Sequence, residues 1–367
     1  MPPDVPASPR PSRPGTVGII GAGVMGAGIA QVVLEAGDEV RLFDPDRAAL
    51  ERARERVRDG LTKRATRLGD TDPARATWVA DQLGRLMTAA SPGDAARDVE
   101  VVIEAAVEDL AAKRRIFADL ADAEPRTAIL ATNTSALRVS EIALGAGADA
   151  PRVIGLHWFN PAPLMALVEV VPGEQTDPDV TDRAMDAVRH WGKTPVRSAD
   201  TPGFIVNRVN RPFTIEALRL LETGQADVTA IDGAMRAAGF PMGPFELMDL
   251  AGLDVNLAAA TGVWDGLGRP ARLRPSPIQE RLVATGRLGR KSGEGFYRYD
   301  EAGRRGEPAL AGGHAAGQTI DRDRIAAGII AAIGAEADLA VADGVASRKD
   351  IDLALRLGAG HPLRSTP

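Results

Sequence analysis

The chain has 367 residues, 44% hydrophobic and 26% charged, an ordinary globular composition with length for two or three domains and an ample core. A formal net charge of −6 argues against a general affinity for nucleic acid. Cysteine is absent, which excludes disulfides, thiolate nucleophiles and cysteine-held metals and fits a cytoplasmic protein.

In chain order, residues 1–14 are Pro- and Ser-rich, lack the apolar segment of a secretory signal and read as a disordered tail. From 15 to 200, short β-branched runs (16–20, 38–44, 99–105, 127–132 and 152–157) alternate with Ala-, Arg- and Leu-rich helical stretches. That rhythm predicts an α/β, Rossmann-like domain with a mainly parallel sheet and helices on both faces. "DTPGFIVNR" (200–208) marks a change, and 201–299 reads as an all-helical C-terminal domain. Residues 300–319 are rich in Gly and charge and read as a linker. The apolar runs read as too short to cross a bilayer, so no membrane partner is expected.

Residues 320–367 carry a partial helical repeat. "EALRLLETGQADVTAIDGAMR" (216–236) aligns without gaps on "EADLAVADGVASRKDIDLALR" (336–356), matching Glu216 to Glu336, Gly224 to Gly344, Ile231 to Ile351, Asp232 to Asp352 and Arg236 to Arg356. "GFP" after the first copy corresponds to "GHP" after the second, which then stops.

The first strand runs into Gly21-x-Gly23-x-x-Gly26 and a helix. Gly21 permits the tight turn, Gly23 lets backbone approach a pyrophosphate, and Gly26 allows close helix–strand packing. The helix begins with Val24 and Met25, whose end offers N–H groups and positive dipole to phosphates. Asp44 ends the second strand and can accept from both ribose hydroxyls, which favours NAD over NADP; Arg41 and Arg47 nearby pull the other way.

One of only four histidines, His157, ends a predicted strand inside an apolar run, where a Rossmann-like sheet faces its ligand. Oxidising an alcohol with NAD removes a hydride and a proton, and His is the natural base near neutral pH. Glu169 can reach its other ring nitrogen if the chain reverses at "NPAPLM". Asn160 stands beside them, and Ser135 and Asn207 could hold the alcohol or carbonyl oxygen. No metal is called for.

"GAGVMGAGIAQV", "VVIEAAVEDLAAK", "ATNTSAL", "GLHWFNPAPLMALVEVV", "DTPGFIVNR", "GFPMGPFELMDLAGLD" and "GRLGRKSGEGFYRY" together resemble the L-3-hydroxyacyl-CoA dehydrogenases, 3-hydroxybutyryl-CoA dehydrogenases among them, from about 16 to 299. The resemblance implies a Rossmann domain joined to a helical domain used in dimerisation. It implies NAD-dependent oxidation of (S)-3-hydroxyacyl-CoA to 3-ketoacyl-CoA, or the reverse. By motif, His157 is similar to the general acid/base and Glu169 to its carboxylate partner. Ser135, Asn160 and Asn207 match substrate-contacting positions. Glu108 and Lys113 match positions near the nicotinamide ribose, and Asn133 a cofactor-contacting loop.

Departures from the family pattern fall at Ala166, where a Lys is usual, at Ala136, where a Ser is usual, and at Trp158–Phe159, where Phe-Phe is common. Lys63, Arg64 and Arg67 could meet a CoA phosphate or form a solvated helix face. These departures keep open the same chemistry on an acyl-carrier protein. A non-catalytic NAD-binding protein is a third reading, against which the intact His157 and Glu169 stand. Dehydrogenases of free 3-hydroxy acids rely on a lysine in the helical domain, and no lysine lies between Lys193 and Lys291. The repeat resembles the tandem copy of longer family members. A homodimer through the helical domain is one expectation; if the repeat packs on the first copy in place of a partner, a monomer or modified dimer is the other.

Overall fold

The computed structural model describes residues 15–67, 69, 72–122, 127–310 and 320–362. The predicted tail and residues 311–319 of the predicted linker lie outside the described residues. The chain divides into two compact units, one running to Thr134 and resuming at Val139–Pro195, the other made of Ser135–Arg138 and the chain from Val196 onward.

The first unit follows the order β1 (Thr16–Ile20), α1 (Val24–Glu35), β2 (Glu39–Phe43), α2 (Arg47–Arg67), α3 (Asp72–Gly84), β3 (Leu86–Thr88), α4 (Pro92–Ala95), β4 (Val101–Glu104), α5 (Leu110–Ala121), β5 (Ile129–Thr132), α6 (Val139–Ala143), β6 (Val153–Trp158), β7 (Leu167–Pro172), α7 (Pro178–His190) and the start of β8 (Thr194–Arg197), whose last two residues are counted with the second unit. The sheet order is β3-β2-β1-β4-β5-β6-β7-β8. The first six strands pair in parallel, and β7 runs antiparallel to β6. All five predicted strands are present. β4 and β5 are buried along their whole length, as strands covered by helices on both faces must be. The short β3 and β8 escaped the sequence reading because "LMT" and "TPVR" carry too little apolar pattern. The core joins Ile19, Leu42 and Ile103 of the sheet to Ile29 and Val33 of α1, Val57 and Leu61 of α2 and Val188 of α7.

The second unit contains α8 (Val206–Val209), α9 (Arg211–Glu222), α10 (Val228–Ala237), α11 (Pro244–Ala251), α12 (Leu253–Gly266), α13 (Pro277–Ala284), β9 (Tyr297–Tyr299), β10 (Arg305–Pro308), α14 (Arg322–Ala342) and α15 (Arg348–Ala359). It is therefore not all helical. β9 and β10 form an antiparallel hairpin, and β10 takes four residues from the predicted linker. Two buried carboxylates anchor this hairpin. Asp249 accepts from the Phe296 and Tyr297 amides and the Tyr299 hydroxyl. Asp232 accepts from the Tyr297 hydroxyl and from the Phe245 and Glu246 amides opening α11. Burial pushes Asp232 up to about 7, against the pull of those donors. The "GFPMGPFELMDLAGLD" and "GEGFYRY" blocks thus serve architecture. Ser135–Arg138, read with the Rossmann domain, belongs to the helical unit, where Asn207 Nδ2 donates to the Ser135 carbonyl at 3.2 Å.

The internal repeat is structural. α9 ends at Glu222 and α14 at Ala342, while α10 starts at Val228 and α15 at Arg348, the offset of 120 seen in sequence. The intervening turns place Gly224 (φ 66°) and Gly344 (φ 72°) in the left-handed region. The copies meet reciprocally. A Cβ on Gly239 would touch Pro362 at 3.2 Å, and one on Gly360 would touch Pro241 at 3.1 Å. The equivalent rings of Phe240 and His361 pack edge-on at 4.9 Å. Burial pulls His361 down to about 4, so the ring is neutral near pH 7 and its Nε2–H donates to Asn210 at 2.6 Å. The α14 helix corrects one expectation, because its length and composition would suffice to cross a bilayer. Here one face of it, with Ile325, Ile329, Ile333 and Ala337 buried, packs along α9 and α10.

A buried ion cluster locks the copies together. Arg208, 1% exposed, donates to Glu336 at 2.9 Å and to Asp343 at 2.5 Å. Arg272 donates to the same Glu336 at 2.6 Å. Removing one partner of a buried pair leaves the other charged and desolvated. Glu336→Ala is therefore expected to cost about 3–5 kcal/mol, read by denaturant unfolding of the full chain. A loss no larger than that of a surface salt-bridge variant would contradict this assignment.

Candidate active site

At the carboxyl end of β1, Gly21 has φ 108°, and a Cβ there would lie 2.5 Å from the Ala105 carbonyl. A Cβ on Gly26 would lie 1.8 Å from the Gly21 carbonyl, so the α1–β1 approach also demands glycine. Gly23 differs, because a Cβ there would meet nothing within 4 Å. Its side faces open space, which suits close approach by a ligand. The α1 N-terminus has Gly23 as its cap, no side-chain capping bond and no acid in its first turn. Val24 is exposed and Met25 half-buried at this end. The uncapped helix end fits a pyrophosphate.

Asp44, just past β2, accepts from the Ala22 amide at 2.8 Å and the Asp46 amide at 2.9 Å. The carboxylate that would read a ribose therefore also fixes the glycine loop. Arg41, which sequence set against an NAD preference, donates instead to the Arg97 carbonyl. Arg47 is exposed at the start of α2.

The neighbouring strand ends hold a network that sequence reading only touched. Glu104, fully buried at the end of β4, accepts from Lys113 Nζ at 2.7 and 2.9 Å, from the Thr132 hydroxyl at 2.6 Å and from the Ala106 amide at 2.7 Å. Lys113 also lies 3.3 Å from Glu108, whose other oxygen accepts from the Thr134 hydroxyl at 2.6 Å. Lys113, expected beside the nicotinamide ribose, is 0% exposed, and its ammonium is engaged by two carboxylates. Its ammonium thus links Glu104 to Glu108. The missed residue is Glu104, whose signal was an acid closing the apolar strand "VVIE". Asn133 accepts from the Trp158 amide at 2.9 Å, tying the ends of β5 and β6.

β6 and β7 pair with His157 opposite Glu169. His157 Nδ1 lies 2.6 Å from Glu169 Oε2, with the carboxylate at 0% and the imidazole side chain at 7% exposure. An ionised carboxylate can only accept, so Nδ1 carries the proton and Nε2 is the basic nitrogen. The Phe159 ring packs 4.5 Å from the imidazole. Asn160 is exposed in the reversing loop, two residues past the end of β6.

That loop is held by a residue the sequence did not single out. Lys193 Nζ donates to the carbonyls of Ala162 at 2.7 Å, Met165 at 2.8 Å and Pro163 at 3.3 Å. Burial lowers its pKa. Ala166, the main departure from the family pattern, offers its carbonyl to the Thr194 amide at 2.7 Å and so helps place Lys193. Beside the loop lies a cavity of about 690 Å³, lined by Lys63, Arg64 and Arg67 of α2, Glu35 of α1, Leu164 and Lys193. Arg64 is 3.8 Å from Glu35. The cavity falls in the size range of small-molecule sites.

In the second unit, Ser135 and Asn207 are half-buried and joined by the Asn207–Ser135 hydrogen bond. Among the described residues, no group of His, Asp and Glu could hold a metal ion.

A family profile described as "3-hydroxyacyl-CoA dehydrogenase, NAD binding domain" matches residues 16–201, and one for the C-terminal domain matches residues 203–299. A probable 3-hydroxyacyl-CoA dehydrogenase of Caenorhabditis elegans is 42% identical over 290 residues, 78% of this chain and 94% of that protein. The 3-hydroxyadipyl-CoA dehydrogenase of Escherichia coli is 45% identical over 283 residues, 77% of this chain but 58% of that longer protein. The crystal structure of 3-hydroxybutyryl-CoA dehydrogenase from Escherichia coli K12 superposes with a TM-score of 0.84 at 34% identity, covering 95% of this chain and 89% of that one. The structural match thus extends past the region of the family profiles. The glycine loop, the acid ending β2 and the matches in sequence and structure lead to one conclusion: the chain belongs to the 3-hydroxyacyl-CoA dehydrogenase family and is an NAD-dependent oxidoreductase.

Proposed function

We propose that the chain interconverts (S)-3-hydroxyacyl-CoA and 3-ketoacyl-CoA with His157 as general acid/base. The observation that carries this is the 2.6 Å contact between His157 Nδ1 and the buried Glu169. In oxidation, Nε2 takes the proton of the 3-hydroxyl; the Gly21–Gly26 loop and Asp44 would hold NAD, which would supply the hydride acceptor. Glu169 stabilises the imidazolium so formed and keeps the ring in the productive tautomer. Burial of both groups excludes water and strengthens the attraction that forms as the ring is protonated. Ser135 and Asn207 are assigned to the substrate by their match to the family motifs, and Asn160 with them. Such a base contributes roughly 10²–10⁴-fold. His157→Gln is expected to lower kcat by at least that factor while NADH affinity, read by fluorescence titration, stays nearly constant. Retained turnover would remove His157 from this role.

Asp44 is assigned to the adenosine ribose. Its two accepted amides orient it, and Arg41 is turned to a carbonyl, which leaves Arg47 as the nearby arginine set against its charge. Asp44→Ala is expected to raise the KM for NAD and to narrow the NAD-over-NADP preference in kcat/KM. An unchanged preference would place the discrimination elsewhere.

The cationic cavity favours CoA over a carrier protein. Lys63, Arg64 and Arg67 outnumber Glu35 there, and CoA brings several phosphates. The rival reading is the same redox step on an acyl-carrier protein, motivated by Ala166. Presenting one 3-hydroxyacyl group on both carriers separates them. The expected result is higher kcat/KM on CoA, falling as ionic strength rises; a preference for the carrier protein would reverse the assignment.

A further inference from the structure

Three arginines of the described residues are nearly or fully buried: Arg152, Arg208 and Arg211. Two have acid partners. Arg152 pairs with Asp149 at 3.0 Å, and Arg208 with Glu336 and Asp343. Arg211, at 6% exposure, has none. Its Nε donates to the Asn207 carbonyl at 3.3 Å, and its two Nη groups meet no acceptor among the described residues, though they are not wholly enclosed by protein. No aromatic face covers it either. Burial lowers it only to about 10, so the guanidinium is charged at neutral pH.

A cation left 6% exposed without a counter-ion is costly, and folding alone gives little reason to keep one. Its position supplies a reason. Arg211 opens α9, one helical turn after Asn207, and is bonded to that residue's backbone. Asn207 in turn holds the Ser135 loop. Both are assigned above to the reacting end of the substrate. The phosphates of CoA lie at the far end of its pantetheine arm, so an anion met here belongs to the acyl group. A planar guanidinium with two unused donors matches a carboxylate in bidentate geometry.

We propose that Arg211 is a specificity-determining residue that receives the terminal carboxylate of a dicarboxylic acyl group. This rests on the reading that the substrate is a 3-hydroxyacyl thioester. A carboxylate there satisfies the vacant donors and neutralises the buried charge. A neutral acyl chain of the same length leaves both costs in place. The chain is thereby tuned toward ω-carboxyl substrates.

The test compares matched pairs of 3-hydroxyacyl-CoA substrates of increasing length, each a neutral chain and its ω-carboxyl analogue, by NADH formation. In the wild type, kcat/KM is expected to favour the ω-carboxyl member at one or more lengths. In Arg211→Met, that ratio is expected to fall by at least about tenfold, a charge-assisted pair being worth this much. Arg211→Lys, which keeps the charge and loses the fork, is expected to fall between them. Without ligand, the Tm of Arg211→Met should equal or exceed that of the wild type, since a buried unpaired charge has gone. Three results would overturn the proposal: a wild type that prefers neutral chains at every length, a ratio that does not move in Arg211→Met, or both substrates weakened equally together with a lower Tm. A wild type that turns over no 3-hydroxyacyl-CoA instead removes the reading on which the proposal rests, and with it the proposal.

Discussion

The register of β6 against β7 is the constraint on which the proposed chemistry depends. It sets His157 directly opposite Glu169, where β7 runs antiparallel to the last of six parallel strands. Side chains alternate faces along a strand, so a slip of one residue would turn Glu169 away and present Val168 or Val170 to the imidazole. The register is therefore guarded from outside the pair. Lys193 gathers three carbonyls of the reversing loop, and the Asn133 side chain ties the end of β6 to β5.

Charge is buried repeatedly in this chain, with different outcomes. Around Glu104, a lysine, a threonine hydroxyl and a backbone amide satisfy one carboxylate, and Glu108 is held in turn. Around Glu336, two arginines share one acid from the repeat. Asp232 and Asp249 collect backbone and tyrosine donors that seat the β9–β10 hairpin. In each cluster the desolvated charge meets several partners, which is the condition under which buried ions hold a fold in one arrangement. Arg211 is the exception among the buried arginines, and the exception is informative because the rule is otherwise kept.

Much of the molecule was legible in the sequence. The Gly21–Gly26 loop announces itself because strand, glycines, helix and Asp44 occur in order, and each residue type has one geometric duty there. The repeat was legible because its matched Gly224 and Gly344 sit at left-handed turns, where local geometry dictates residue type, and its other matches fall at one constant offset. Other features were not. The three-residue β3 and the hairpin strand β10 are made by their partners, since neither has an apolar pattern of its own. The role of Lys193 was not legible because its acceptors are carbonyls, which leave no trace in side-chain pattern. Nor did the sequence show that "SALR" leaves the Rossmann domain to join the helical unit.

The sequence by itself determined the fold class, the cofactor and the family, and it singled out His157 and Glu169 as the pair proposed for proton transfer. These rest on local rules: periodicity, turn chemistry, and the residue types that redox chemistry requires. Only the tertiary structure decided which charges are compensated. Arg208 and Arg211 are three residues apart and read alike in sequence, yet one meets two carboxylates from the distant repeat and the other meets none. The difference arises because ion pairing depends on what long-range packing brings within a few ångströms, and the sequence spacing of charges carries no record of it.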